Sequence, residues 1–368
     1  MMKNSFLKFL PAVMILCLIL CSCSMDLDIP TKANDSSSKR KTPAHSETPD
    51  KTAQAQETSD PLFPVPTYDT DIEKADLTLG TGGPSGTYYA VGKVMADVLN
   101  DKLIRSSISV TQTGGSKANV QMITANDAQL AILRSDVLYY AHNGSGGESF
   151  FEGKPEKGGL WVAGLYSEIV QVVANTYITD ISELRGKSVC VGDVGSGTVL
   201  NAAQILEAYG MTFADITPLY MSFSRGADAM KNGQCDAIFT VAGTPTPALT
   251  ELAATYKFNF LSLSQAAVSY LTEKYPLLTQ EILPANTYSG SVQPNDVVCV
   301  AVKAALVASD KLSEAVVYEL TKAIFENLKA LGDAHPRFQL LTPASALNGS
   351  FDLHPGALKY YKEIGAIK

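Results

Sequence analysis

The sequence is short of basic residues, histidine and tryptophan. Its 368 residues include 29 Lys and Arg against 37 Asp and Glu, with four His and one Trp, and the net charge is −8. Broad nucleic-acid binding needs a basic face that neutralises phosphates, so this composition argues against it. Charged residues make up only 18% of the chain and hydrophobic residues 46%. These fractions exclude a wholly disordered protein, and the length suits two globular units.

Catalytic and metal-binding patterns are also missing. Ser85 and Ser196 each lack one glycine of the GxSxG elbow, and no His–acid pair is indicated downstream. At GTGGPSG, Gly80 and Gly82 fit the dinucleotide pattern GxGxxG, but Ser85 stands at the third glycine. No histidine has a partner at metal-ligand spacing. We therefore predict a protein that is not an enzyme and that needs no cofactor and no metal.

The first residues resemble an export signal. Lys3 and Lys8 precede an apolar run over 10–21 that is shorter than the roughly 20 residues of a membrane span. The run ends in LCSC, which resembles the bacterial lipobox, so we predict a signal peptide over 1–22 and lipidation of Cys23. An ordinary signal peptide that contains cysteines is the alternative. Residues 23–68 are rich in Ser, Thr, Pro, Lys and Glu, and we predict a disordered tether there.

Three cysteines remain in the body of the chain. Cys190, Cys235 and Cys299 each lie in or beside an apolar run typical of a strand. Their number is odd and no pair of them has metal-ligand spacing, so we expect buried thiols rather than a disulfide framework.

From about Asp76 the chain alternates strand-like runs, glycine-rich loops and amphipathic helices. After GTGGPSGTYYAVG, for example, Val91, Met95 and Leu99 recur at helical spacing. This alternation predicts an α/β fold with mostly parallel strands. Ligands of such folds bind beyond the carboxyl ends of the strands, where helix N-termini offer N–H groups to anions. Five such loops predict one small, polar, anionic ligand that is held from several sides.

The ordered set of loops resembles the TAXI family of solute-binding proteins, which are the extracytoplasmic receptors of TRAP transporters. The resemblance begins at GTGGPSGTYYAVG and covers residues 76 to about 340. It continues through TQTGGSKAN, LAILRSDVLYYA, GLYSEIVQVVA, VGDVGSGTVLNAAQIL, CDAIFTVAGTPTPAL and NTYSGSVQPNDVVCVAV.

The resemblance implies a periplasmic-binding-protein fold of type II, with two α/β lobes, a ligand cleft between them and two crossing strands. We expect the crossings near Val170–Ala174 and Ser289–Val298, lobe 1 over 76–169 plus 299–368, and lobe 2 over 170–298. The implied function is capture of a small anionic solute, an amino acid such as glutamate or an organic acid, for a TRAP-type permease. The implied protein is a monomer, lipid-anchored at the outer side of a bacterial cell membrane. A sensor that presents its ligand to a membrane signalling receptor is the alternative.

The resemblance and the loop chemistry together indicate the ligand contacts. Departures from the family pattern include Arg134, which stands at a position that commonly bears an amide and which would favour a dicarboxylate if it faced the cleft. The candidate ligand-binding residues are Thr81, Ser85, Thr87, Tyr88, Ser116, Ser135, Tyr166, Ser196, Gly197, Thr198, Gly243 and Thr246.

Overall fold

The computed structural model describes residues 74–147, 150–288, 292–349 and 351–368. The predicted signal peptide, Cys23 and the tether lie outside the described residues. Within these ranges, no helix has the length and apolar character needed to cross a membrane.

The strands of the described residues form one ten-stranded sheet with the main order β2-β1-β3-β10-β4-β7-β5-β6, while β8 pairs with β4 and β9 pairs with β10. The strands are β1 (Ala75–Gly80), β2 (Ser106–Thr111), β3 (Leu130–Arg134), β4 (Gly159–Asn175), β5 (Ser188–Gly192), β6 (Thr217–Tyr220), β7 (Ala237–Ala242), β8 (Phe258–Phe260), β9 (Thr279–Leu283) and β10 (Val297–Ser309).

Helices connect most of these strands. Short 3-10 turns occupy Ile181–Leu184, Phe213–Asp215 and Pro336–Phe338. The α-helices are α1 (Thr87–Leu99), α2 (Ser116–Ala125), α3 (Ser135–Asn143), α4 (Thr198–Ala208), α5 (Phe223–Lys231), α6 (Pro247–Thr255), α7 (Gln265–Lys274), α8 (Glu314–Glu326), α9 (Leu328–Ala334), α10 (Pro343–Ala346) and α11 (Pro355–Glu363).

The sheet contains the same arrangement twice. In what we call the first half (β1–β3 with α1–α3), the parallel strands have the order β2-β1-β3 and β10 is added antiparallel to β3. In the second half (β5–β7 with α4–α6), the parallel strands have the order β6-β5-β7 and β4 is added antiparallel to β7. Each half is therefore completed by a long strand that also pairs elsewhere.

The two long strands run between the halves. β4 pairs with β10 from Gly159 to Ile169 and with β7 from Ile169 to Ala174. β10 pairs with β9 over 297–301 and with β3 over 304–308. The predicted α/β fold, with two halves joined by two crossing strands, is confirmed, while the predicted lobe limits stay a prediction.

Separate apolar clusters fill the two halves. Val91, Met95 and Leu99 point from α1 into the core of the first half, which α8 and α11 also cover. Burying a side chain of this size contributes about 1.5–3 kcal/mol. α4 turns its apolar side into the second core and ends before Gly210, whose φ of +66° is the left-handed conformation that glycine adopts at low cost.

The three cysteines of the body are buried free thiols, as expected from the sequence. Burial raises the pKa of Cys190 and of Cys299 to about 12. Because the thiolate is the reactive form, both groups are inert near neutral pH.

Candidate functional site

Four helix N-termini, two from each half, meet at one cavity of about 80 Å³. Thr87 of α1 and Ser116 of α2 come from the first half, and Thr198 of α4 and Phe223 of α5 come from the second. Each helix begins shortly beyond the carboxyl end of a strand, which is where open α/β sheets bind ligands. The lining residues are Gly82, Gly83, Ser85, Gly86, Thr87, Tyr88, Thr113, Gly114, Gly115, Ser116, Arg134, Glu168, Asp193, Ser196, Gly197, Thr198, Ser222, Phe223, Val241 and Ala242.

Glycine precedes three of these helices. The N-cap residues of α1, α2 and α4 are Gly86, Gly115 and Gly197, and none of them offers a side-chain cap. In the described part of the chain, the main-chain N–H groups of Thr87 and Tyr88 have no hydrogen-bond acceptor. Unpaired N–H groups and the positive end of the helix dipole favour an anion at this end of α1.

The helix-start loops of the two halves touch each other around the cavity. The N–H groups of Lys117 and Ala118, in the first turn of α2, donate to the carbonyl oxygen of Gly195 at 3.1 Å each. On the opposite side of the cavity, the hydroxyl of Thr87 donates to the carbonyl oxygen of Gly243 at 3.2 Å. Glycine is required at Gly115, where φ is +112° and a Cβ atom would lie 3.3 Å from Cα of Ser196. The halves are therefore closed on each other at the site.

Arg134 is buried in the cavity wall and joins the two halves. Its Nε and Nη2 atoms donate to the two carboxylate oxygens of Asp136 at 3.1 and 3.2 Å, and Nη2 also donates to the carbonyl oxygen of Gly197 at 2.6 Å. Asn201 donates to the same carboxylate at 3.1 Å. Burial disfavours the charge of Arg134, but the neighbouring Asp136 outweighs it and the pKa of Arg134 is raised. The fork that could hold a ligand carboxylate is thus occupied by Asp136.

Glu168 is one of the cavity residues that the sequence interpretation missed, as it also missed Thr113, Asp193, Ser222 and Phe223. It lies on β4, opposite Val302 of β10, and only 1% of its surface is exposed. The hydroxyl of Tyr88 donates to its Oε2 atom at 2.8 Å. Burial raises the pKa of Glu168 to about 8, against the smaller opposing effects of Arg134 and Tyr88. The sequence did contain a signal for Glu168, because it is an acidic residue inside the otherwise apolar run GLYSEIVQVVA.

Seven of the twelve predicted residues line the cavity, and they come from both halves: Ser85, Thr87, Tyr88, Ser116, Ser196, Gly197 and Thr198. Ser196 accepts a hydrogen bond from the N–H group of Thr198 at 2.9 Å, and the hydroxyls of Tyr88 and Ser116 lie 3.3 Å apart.

The other five predicted residues do not line the cavity: Thr81, Ser135, Tyr166, Gly243 and Thr246. The hydroxyl of Thr81 donates to Thr111 O at 2.6 Å, and that of Thr246 donates to the carbonyl oxygen of Gly243 at 3.2 Å. Ser135 is buried at the start of α3. Tyr166 is buried on β4, and its hydroxyl has no partner among the described residues.

No group of three or more His, Cys, Asp or Glu that could hold a metal ion occurs in the described ranges. The polar groups at the cavity are hydroxyls, main-chain amides, one arginine and two carboxyls. This donor set is suited to hydrogen-bonding a small polar molecule.

Comparison with known proteins places the chain in a family. Residues 79–365 match the NMT1-like family. The chain belongs to the NMT1-like family.

Solved structures with a similar fold share little sequence with this NMT1-like protein. It is similar to the periplasmic binding protein BugD, with 14% identity over 80% of this chain and 94% of that one and a TM-score of 0.48. It is similar to the periplasmic aliphatic sulphonate-binding protein SsuA of Escherichia coli, with 15% identity over 73% and 78% of the chains and a TM-score of 0.39. It is also similar to a periplasmic TRAP solute-binding protein of Bordetella bronchiseptica, with 11% identity over 72% and 81% of the chains and a TM-score of 0.41.

Proposed function

We propose that this protein is an extracytoplasmic solute-binding receptor of the type II periplasmic-binding-protein kind, which captures a small anionic solute. The observation on which the proposal rests is the meeting of four helix N-termini from two βα halves at one cavity. The free N–H groups at the start of α1 supply donors and positive potential for a carboxylate. Hydroxyls from both halves supply the remaining hydrogen bonds. The proposed contacts are the seven predicted residues that line the cavity.

Closure of the two lobes is the proposed mechanism of capture. In an open protein, a solute would contact one set of helix N-termini only. In the closed arrangement it contacts both, so its binding favours closure by the difference in affinity between the two states. The bonds from Arg134 to Gly197 and from α2 to Gly195 support this proposal, because they show that the two halves can meet around the cavity. The proposed lobes are 76–169 plus 299–368 and 170–298.

Delivery to a TRAP-type, ion-gradient-driven permease completes the proposal. The ordered loop segments of the TAXI type support it. In this account, lipid at Cys23 anchors the protein to the outer side of a bacterial cell membrane, and residues 24–68 hold the folded part away from the surface.

The test is to identify a solute and then to block its site. Native mass spectrometry of the purified protein identifies the small molecule that copurifies, and calorimetry measures its affinity. Ser116→Asp adds a carboxylate to the cavity at the first residue of α2. There the helix dipole favours the fold, but like charge repels an anionic solute. We expect the affinity to fall by about 100-fold or more.

Ser269→Asp on α7 is the matched control, because it adds the same charge at an exposed position away from the cavity. We expect its affinity to equal that of the wild type. Equal loss in both variants, or no loss in either, would contradict the proposed site. A protein that binds no small molecule in any preparation would contradict the proposed function.

A further inference from the structure

Glu168 has a buried carboxyl group for which the proposed capture of an anion gives no role. Its exposed fraction is 1%, and it lines the cavity at the point where β4 passes from one half to the other. Carboxyl groups are rarely buried in proteins unless they are paired.

Only one of its two oxygen atoms is engaged. The Tyr88 hydroxyl donates to Oε2 at 2.8 Å, and no described residue donates to Oε1. Among the same residues, no Lys, Arg or His forms an ion pair with Glu168. The cavity wall therefore presents one carboxyl oxygen, Oε1, to which no described residue donates.

The charges around Glu168 do not neutralise it. The guanidinium group of Arg134 is bound by Asp136, so the nearest cation is already paired. Burial has the largest effect on Glu168 and raises its pKa to about 8, so its carboxyl group holds a proton near neutral pH. The titratable groups that act on Glu168 from the surrounding elements are Tyr88 of α1, Arg134 at the end of β3, Asp136 of α3, Tyr166 of β4 and Arg337 of the last 3-10 turn.

We propose that Glu168 binds an ammonium group of the solute, while the start of α1 binds its acid group. The inference rests on the proposed function and narrows the solute class to small zwitterions. Tyr88 connects the two proposed subsites. Its main-chain N–H lies in the first turn of α1, where the acid group would bind, and its hydroxyl donates to Glu168, where the ammonium group would bind. The cavity of about 80 Å³ limits the zwitterion to a small one.

Binding of an ammonium group would release a proton from Glu168. The protonated carboxyl of Glu168 releases its proton to the buffer, and the carboxylate then pairs with the ligand ammonium, which keeps its three protons. A solute that has no amine would leave the proton on Glu168, which would then donate to the ligand oxygen. The two solute classes therefore differ in the number of protons released on binding.

The experiment uses calorimetry on the full chain with matched pairs of probes, each an amino acid and its 2-oxo acid: glutamate with 2-oxoglutarate, and alanine with pyruvate. Titrations near neutral pH in buffers of different ionisation enthalpy give the number of protons released. We expect the amino acid of a binding pair to bind at least about 30-fold more tightly than its partner, with release of about one proton. Glu168→Gln is expected to abolish the release and to weaken amino acid binding at least about 30-fold.

Two further variants keep the result interpretable. Glu273→Gln removes a carboxylate from the exposed side of α7 and should bind like the wild type. Tyr88→Phe keeps the Glu168 carboxyl but removes its hydrogen-bond donor, so proton release should persist. Release that survives in Glu168→Gln would overturn the inference.

The two proposals fail differently. Oxo acids that bind as tightly as amino acids, with no proton released, would overturn the ammonium subsite and leave the receptor function intact. Absence of binding by every probe and by the copurified molecule would contradict both proposals.

Discussion

The two halves of the molecule share one strand order but supply different chemistry to the cavity. The first half supplies the large polar side chains of Tyr88 and Arg134, and the crossing strand β4 supplies Glu168. The second half supplies the loop over 193–198, Ser222, Phe223 and the end of β7, and its charged side chain at the cavity is Asp193. The two copies of one strand order therefore place different side chains at the cavity. Variants of the two halves should therefore affect stability and affinity differently.

The largest expected effect comes from Arg134, which forms a buried ion pair with Asp136 of its own half and donates a hydrogen bond to Gly197 of the other half. Arg134→Ala leaves Asp136 buried without its partner, and breaking such a pair costs about 3–5 kcal/mol. Chemical denaturation should show a loss of that size in the free energy of unfolding. Arg225→Ala, at an exposed position on α5, should change it by less than about 0.5 kcal/mol. Equal losses in the two variants would contradict the stabilising role of the buried Arg134–Asp136 pair.

The next effect concerns the pH dependence of stability. The pKa of Glu168 is about 8 in the folded protein against an ordinary value of 4.5. The folded state therefore keeps a proton that the unfolded state loses. The resulting stability is fully present below the ordinary pKa and is lost as the pH rises through about 8. Between about pH 5 and pH 9, the free energy of unfolding of the wild type should fall relative to Glu168→Gln by about 2–5 kcal/mol.

Urea denaturation of both proteins without solute measures this difference. Parallel pH profiles for the wild type and Glu168→Gln would mean that Glu168 is ionised throughout. That result would also remove the expected proton release.

Substitutions at two glycines with positive φ separate the contact between the halves from backbone strain alone. Gly115→Ala should lower stability and also weaken solute binding, because the new Cβ atom meets Ser196 of the other half. Gly233 has φ +68°, in the left-handed region, and open space around it, so Gly233→Ala should cost only about 1 kcal/mol of stability. Affinity measured by calorimetry should fall in the first variant alone. A loss of solute affinity in Gly233→Ala would contradict the proposal that the contact between Gly115 and Ser196 is needed for binding.

The smallest effect is expected for the loss of a single hydroxyl group from the second half. Thr198→Val keeps the shape of the side chain and removes one donor, so solute affinity should fall by about 3- to 10-fold. Thr255→Val, at an exposed position on α6, is the control and should bind as the wild type does. If Thr198→Val lost more solute affinity than Glu168→Gln, the ranking of Glu168 as the stronger ligand contact would be contradicted.

Local features of the fold were predictable because they depend on neighbouring residues. The spacing of Val91, Met95 and Leu99 predicts α1, and Gly210 predicts the end of α4. The convergence of the loops on one site follows from parallel strands, whose carboxyl ends lie along the same edge.

The pairings within the site were not predictable from single loops. Tyr88 and Glu168 are 80 residues apart, and Arg134 and Gly197 are 63 apart. Thr81 and Thr246 have the residue type and position of ligand contacts, yet main-chain carbonyls take up their hydroxyls. Because Thr81 bonds to Thr111, 30 residues away, and Tyr88 bonds to Glu168, the orientation of a hydroxyl depends in part on contacts that a sequence pattern does not contain.

A crystal structure of the protein with its copurified solute tests the central claim most directly. We expect one molecule between the two halves, with its acid group at the N–H groups of Thr87 and Tyr88 and its cationic group within hydrogen-bond distance of Oε1 of Glu168. A solute bound outside this cavity, or one held by a single half while the other stands open, would contradict the account.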